Sequence, residues 1–139
     1  MEIVNQTLTL ATSAETDLID LTGRVSEVVA SSGLNQGQVL VFVPGSTAAL
    51  TTIEYESGAL ADLAAAIERL APRSIDYAHD ARWGDGNGYS HVRAALLKPS
   101  LTVPLIDGRL ALGAWQQLVL LDFDNRPRQR RILVQIIGR

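Results

Sequence analysis

The chain has only two histidines, His79 and His91, and both fall in the polar stretch "YAHDARWGDGNGYSH", residues 77–91. Asp80, Asp85 and Asn87 stand with them. An imidazole can serve as a metal ligand or as a general acid or base near neutral pH. Two imidazoles with carboxylates between them could hold a divalent ion through nitrogen and oxygen, although no compact zinc spacing such as HExxH is present. The plain alternative is that both rings bond loop backbone. A second candidate is "PGSTAA", residues 44–49. Gly45 lets the backbone approach a ligand closely, and Ser46 and Thr47 add hydroxyls. Such a turn can cradle a phosphate, but it lacks the lysine of a P-loop. Just beyond it, Glu54 and Glu56 share one face of an expected strand, where they could hold Mg²⁺ or polarise a substrate amine. A third candidate is "DGRLALGAWQQ", residues 107–117. Here Arg109 could clamp an anionic group, and Trp115 beside Gln116 and Gln117 offers a flat surface for a heteroaromatic ligand.

The elements that must carry these residues show in the pattern. "EIVNQTLTLAT" alternates Val4, Leu8 and Leu10 with Asn5, Thr7 and Thr9, which predicts a half-buried strand. "TDLIDLTGRVSEVVASSG" spaces Leu18, Leu21, Val25, Val28 and Val29 at helical intervals, with Gly33 placed to end the helix. "QVLVFVP" and "AALTTIEYE" read as strands, and "GALADLAAAIERLA" as a helix stopped by Pro72. After the polar loop, Ser90 is the expected N-cap of a short helix "HVRAALL", which puts His91 in a first turn that favours an anion. "SLTVPLIDGRLALG" reads as strand, Asp-Gly turn, strand. "WQQLVLLDFDNRPRQRRILVQIIG" gives two more strands joined by a turn at "DNRP". Strands dominate the end and helices interrupt the middle without regular alternation. The expected fold is α+β, a single domain over residues 1–139 with a largely antiparallel, bent β-sheet and a few helices.

Composition narrows the classes. A chain of 139 residues that is 47% apolar is long enough to bury a real core. It has no cysteine, hence neither a disulfide framework nor a thiolate metal site. No uninterrupted apolar run reaches the roughly 18 residues of a membrane span, and no secretory pattern opens the chain. A cytoplasmic protein is therefore expected. The net charge of −3 counts against a nucleic-acid partner. "RPRQRR", residues 126–131, is a local basic exception, but alternation along a strand would split its arginines between two faces. Eleven arginines stand against one lysine, Lys98, and arginine suits bidentate recognition of carboxylate and phosphate.

In this order, "VFVPGSTAALTTIE" and "HDARWGDGNGYSHVRAALLKPSLTVPLIDGRLALGAWQQLVLLDFDNRPRQRRILVQIIG" resemble the YjbQ-like family, described as secondary thiamine-phosphate synthases. The resemblance implies a bent antiparallel sheet, a homotrimer and a transferase activity. A hydroxymethylpyrimidine diphosphate would lose pyrophosphate as a thiazole phosphate nitrogen attacks its methylene carbon. Such a reaction needs Mg²⁺ or another divalent metal, with cationic or N–H donors, to neutralise the departing diphosphate. On this resemblance His79, Asp85 and His91 would hold the metal or the diphosphate. His79, His91 and Glu54 become the candidate catalytic residues. Gly45, Ser46 and Thr47 would contact a phosphate, and Arg109 the other end of the leaving group. The implied partners are a small phosphorylated heterocyclic substrate and further copies of the chain. Two positions depart from the family pattern: Gly45 stands where many members carry histidine, and Tyr89 where another is common. A trimer that binds a small anionic metabolite or divalent metal without catalysis is the alternative.

Overall fold

The computed structural model describes residues Met1–Arg139. Its elements run β1 (Glu2–Thr12), β2 (Asp17–Asp20), α1 (Thr22–Ser32), β3 (Gln36–Phe42), β4 (Ala48–Ile53) and α2 (Ser57–Leu70). They continue α3 (Ala78–Trp83), α4 (Gly88–Leu97), β5 (Ser100–Ile106), β6 (Arg109–Leu110), β7 (Gln117–Asp122) and β8 (Arg128–Gly138). All strand pairs are antiparallel, in a five-stranded sheet β1-β8-β3-β5-β6 and a three-stranded sheet β2-β7-β4. The result is a single α+β domain with four helices.

Alternation orders the large sheet. Along β8, Arg130, Ile132, Val134, Ile136 and Gly138 are buried, while the residues between them are exposed or half-buried. β1 lies against β8 over its whole length, from Glu2 opposite Gly138 to Thr12 opposite Arg128. The buried faces of β8, β3 and β5 meet α1 through Val25, Val28 and Val29 in the main core cluster. In β7, by contrast, every residue from Leu118 to Asp122 is buried, because both faces of the strand are covered. Leu118 and Leu120 join the main core, whereas Val119, Leu121 and then Phe123 pack with Ile67 of α2 and Ala94 of α4. Asp122 shares the parity of Leu118 and Leu120 and so faces the five-stranded sheet.

Three local expectations change. Residues 17–20 form strand β2 on the edge of β7, and the helix starts only at Thr22. The Asp20 carboxylate accepts the Thr22 N–H at 2.9 Å, a local bond that competes with a helical turn. Gly33 ends α1 in the left-handed conformation, as its position predicts. The polar loop is largely helical. It contains α3, closed by left-handed Gly84, and α4 starts at Gly88, two residues before Ser90, with Asn87 at the N-cap. Ser90 lies inside α4, where its hydroxyl donates to the Asn87 carbonyl at 2.5 Å. β4 stops at Ile53, and Glu56 caps α2 by accepting the Gly58 and Ala59 N–H groups at 2.8 Å each. The "DNRP" turn joins β7 and β8 without pairing them; it carries the chain from one sheet to the other.

Candidate functional site

Where the chain crosses between the sheets, a cleft of about 690 Å³ opens. Gly45, Ser46 and Thr47 line it after β3, and His79, Trp83, Asp85, Asn87 and His91 line it from α3, α4 and their connection. Asn125, Arg126, Arg128 and Arg130 complete the lining from the turn and the start of β8. The two strongest polar segments of the sequence thus converge.

A buried charge network forms the sheet side. Arg130 donates from Nε to Asp122 Oδ2 at 2.7 Å and from Nη2 to Asp122 Oδ1 at 2.9 Å, a two-pronged pair. Its Nη2 also donates to the Thr47 hydroxyl at 2.7 Å, and that hydroxyl donates to Asp124 Oδ2 at 3.1 Å. Arg128 donates from Nε to the same Oδ2 at 2.8 Å, and Asn87 Nδ2 donates to Asp124 Oδ1 at 3.2 Å. Asp122 and Asp124 are fully buried, and Thr12 adds a 2.6 Å bond to Asp122. Burial alone would raise the Asp124 carboxyl. The bonds from Asn87, Arg128, the Asn125 N–H and Thr47 instead hold it below the ordinary aspartate value.

The Nη1 atoms of Arg128 and Arg130 take no part in these bonds. Gly45 controls access to one of them. Its φ of +114° is strained for any other residue, and a Cβ there would stand 3.2 Å from Arg130 Nη1. A glycine at this point leaves room for an anion beside the guanidinium.

The helical side is looser. His79 Nδ1 lies 3.5 Å from Asp80 Oδ1 and 3.4 Å from Asp85 Oδ1. One ligand atom from each of these three residues falls within 4.8 Å of the others, a nitrogen-and-oxygen donor set suited to a divalent cation. Asp80, one of the two carboxylates expected between the histidines to join a cation site, also accepts the Gly88 N–H at 2.8 Å and so ties α3 to α4. His91 stands outside that trio. Its ring packs against the His79 ring, centroids 4.2 Å apart and tilted by 38°.

Two expected participants are elsewhere. Glu54 is exposed beyond the far end of β4, on the order of 20 Å of strand away from Thr47. Arg109 lines a different cavity beside α1, with Gly108 and Gln116. Neither lines the cleft, because a strand delivers its two ends to opposite edges of a sheet. Tyr89 points away as well: it is buried beside the Arg93 guanidinium, 4.9 Å from its ring centroid. The residues that sequence reasoning missed are Asp122, Asp124, Arg128 and Arg130. The signal was present in β8, since the alternation of Ile136, Val134 and Ile132 continues backward to Arg130 and Arg128.

A single antiparallel α+β domain with a polar, arginine-lined cleft between two sheets is the class that fold and site define. The chain belongs to the YjbQ-like UPF0047 protein family, whose model matches residues 6–139. A UPF0047 protein of Methanothermobacter thermautotrophicus is 42% identical over 139 residues, all of this chain and 95% of that protein. One from Archaeoglobus fulgidus is 41% identical over 130 residues, covering 94% of this chain and 98% of that protein. Among solved structures, a YbjQ-like protein of unknown function from Sulfolobus solfataricus superimposes with a TM-score of 0.89. It is 29% identical and covers 99% of this chain and 100% of its own. A YjbQ/UPF0047 protein of Clostridium acetobutylicum gives a TM-score of 0.86 at 30% identity, covering 95% and 99%. No helix of the chain is long and apolar enough to cross a membrane.

Proposed function

We propose that the cleft binds a small phosphorylated heterocycle together with a divalent cation, and that it serves a transferase reaction of the thiamine-phosphate synthase type. The observation that carries this reading is the meeting, in one cleft, of the Gly45–Thr47 turn, the free guanidinium edges of Arg128 and Arg130, and His79 and Asp85, whose donor atoms lie within 4.8 Å of those of Asp80 just behind. The arginines and the Thr47 region would bind the diphosphate of a hydroxymethylpyrimidine diphosphate. A divalent ion held by His79, Asp80 and Asp85 would neutralise charge on the departing diphosphate. The bond between the methylene carbon and the diphosphate oxygen breaks, with its electron pair leaving on pyrophosphate. The thiazole phosphate nitrogen forms the new carbon–nitrogen bond. His91, against His79, keeps an imidazole beside the reacting groups. The protein would act in the cytoplasm as a homotrimer, the latter checked by light scattering in solution.

The test is formation of thiamine phosphate by purified protein from the two substrates with Mg²⁺, alongside folded His79→Ala and His91→Ala variants. Turnover that vanishes in the variants supports the reading. A second reading, anion or metal binding without catalysis, is favoured by Gly45 and by the orientation of Tyr89, which leave the cleft with two imidazoles. Ligand binding by the native protein with no product would select it.

A further inference from the structure

Trp83 is the only hydrophobic residue among the twelve that line the cleft. It is 65% exposed, unusual for a residue type that is highly buried on average. Its position is set by α3, of which it is the last residue. Gly84 turns left-handed immediately afterwards, and its N–H bonds the Asp80 carbonyl at 2.8 Å. The Arg82 guanidinium lies over the indole, 5.2 Å from the ring centroid, a cation–π contact that steadies an otherwise exposed ring. The cleft volume of about 690 Å³ is ample for a ring compound together with its phosphates. Everything else in the lining is polar and suited to the anionic part of a ligand. A planar ring entering the cleft therefore has one apolar surface to lie on, and stacking on indole accepts any aromatic heterocycle because each has a π-face.

We infer that Trp83 is the stacking platform that selects phosphate compounds bearing a planar heteroaromatic ring over bare phosphates. This assignment rests on a phosphate being held by Arg128 and Arg130. The experiment uses the full chain and two probes, inorganic pyrophosphate and a hydroxymethylpyrimidine diphosphate, each with Mg²⁺. The chain has two tryptophans, and Trp115 lies outside the cleft, so Trp115→Phe leaves Trp83 as the only indole to report binding. The pyrimidine compound is expected to bind about tenfold or more tighter than pyrophosphate and to change Trp83 fluorescence. Trp83→Ala should remove that advantage and leave pyrophosphate affinity, read by calorimetry, unchanged; Trp83→Phe should retain most of it. A ring preference that survives Trp83→Ala, or no ring preference in the native protein, overturns the assignment. So does a Trp83→Ala variant whose only change is the mass of the particle in solution, which would make the indole a subunit contact. Failure of the native protein to bind pyrophosphate removes the phosphate reading and this one with it.

Discussion

On the sheet side of the cleft, Asp122, Asp124, Arg130 and Thr47 are buried and joined by bonds of 2.7–3.1 Å. On the helical side, His79 faces Asp80 and Asp85 at 3.5 and 3.4 Å, and all three are half-buried or exposed. Both sides are rich in charge, yet they are built for different tasks. The first has its charges paired and immobilised before any ligand arrives, with only the outer guanidinium edges left over. Such preorganised donors cost no reorganisation when an anion binds. In the second, the groups are close enough to share a cation but are not locked to one another. The sheet wall thus carries both stability and the anion's donors, while the helical wall offers cation ligands with little stake in folding, and substitutions should separate the two.

The largest effect should come from Arg130→Ala. It leaves the Asp122 carboxylate buried without its countercharge, which costs about 3–5 kcal/mol and lowers Tm on the order of 10 °C or more. Arg131→Ala, one residue along on the exposed face of the same strand, should stay within about 0.5 kcal/mol. Thermal or denaturant unfolding of the pair checks this, and equal losses would erase the distinction between the two faces of β8.

Asp124→Asn comes next, at about 1.5–3 kcal/mol near neutral pH, since several bonds to a charged acceptor weaken together. Its pH dependence has a definite sign. The folded carboxyl titrates below its unfolded value of about 3.9. Its contribution is therefore complete above that value and is lost as pH falls through the depressed folded one. Melts between pH 7 and pH 3 should show a smaller acid-induced loss in Asp124→Asn than in the native chain. Parallel curves would mean that another carboxylate governs acid unfolding.

Gly45→Ala should cost about 1–3 kcal/mol, because alanine is strained at a φ of +114°. It should also weaken pyrophosphate binding, since the new methyl group crowds Arg130 Nη1. Full affinity in a destabilised variant would show that the anion does not reach that edge of the guanidinium.

How far the sequence reveals these walls depends on the range of the interactions. β1, the end of α1 at Gly33 and the Asp107–Gly108 turn follow from local alternation and turn chemistry. The histidine segment is conspicuous because His79, Asp80, Asp85 and His91 crowd into thirteen residues. The arginine wall is not conspicuous. "RPRQRR" looks like a solvated basic run until β8 parity puts Arg130 inside, Arg128 half-buried on the same face and Arg131 outside. Even then their partners in "LDFD" do not follow from local pattern, because Asp122 meets Arg130 only when β7 and β8 enter different sheets that face each other. Residues 17–20 misled for a related reason: Leu18 and Leu21 fit a helical period, but pairing with β7 decides the strand. Glu54 and Arg109 are chemically suitable residues that the topology sends elsewhere.

Among substitutions of the cleft lining, the smallest effect on folding, and the sharpest on the contrast between walls, should come from His79→Ala. The imidazole is partly exposed and its contacts with Asp80 and Asp85 are long, so unfolding should change by no more than about 1 kcal/mol. Divalent ions should tell the two chains apart. A cation bound only by the folded state raises stability by RT ln(1 + [L]/Kd), about 1.4 kcal/mol at ten times Kd. Titration with Mn²⁺ or Mg²⁺ should raise the Tm of the native protein, and His79→Ala should lose most of that rise while melting normally without metal. Arg128→Ala, on the opposite wall, should keep the metal response and lose pyrophosphate affinity. An equal metal response in native and His79→Ala chains would take the cation away from α3, and the helical wall would then be no more than a partner to the arginines across the cleft.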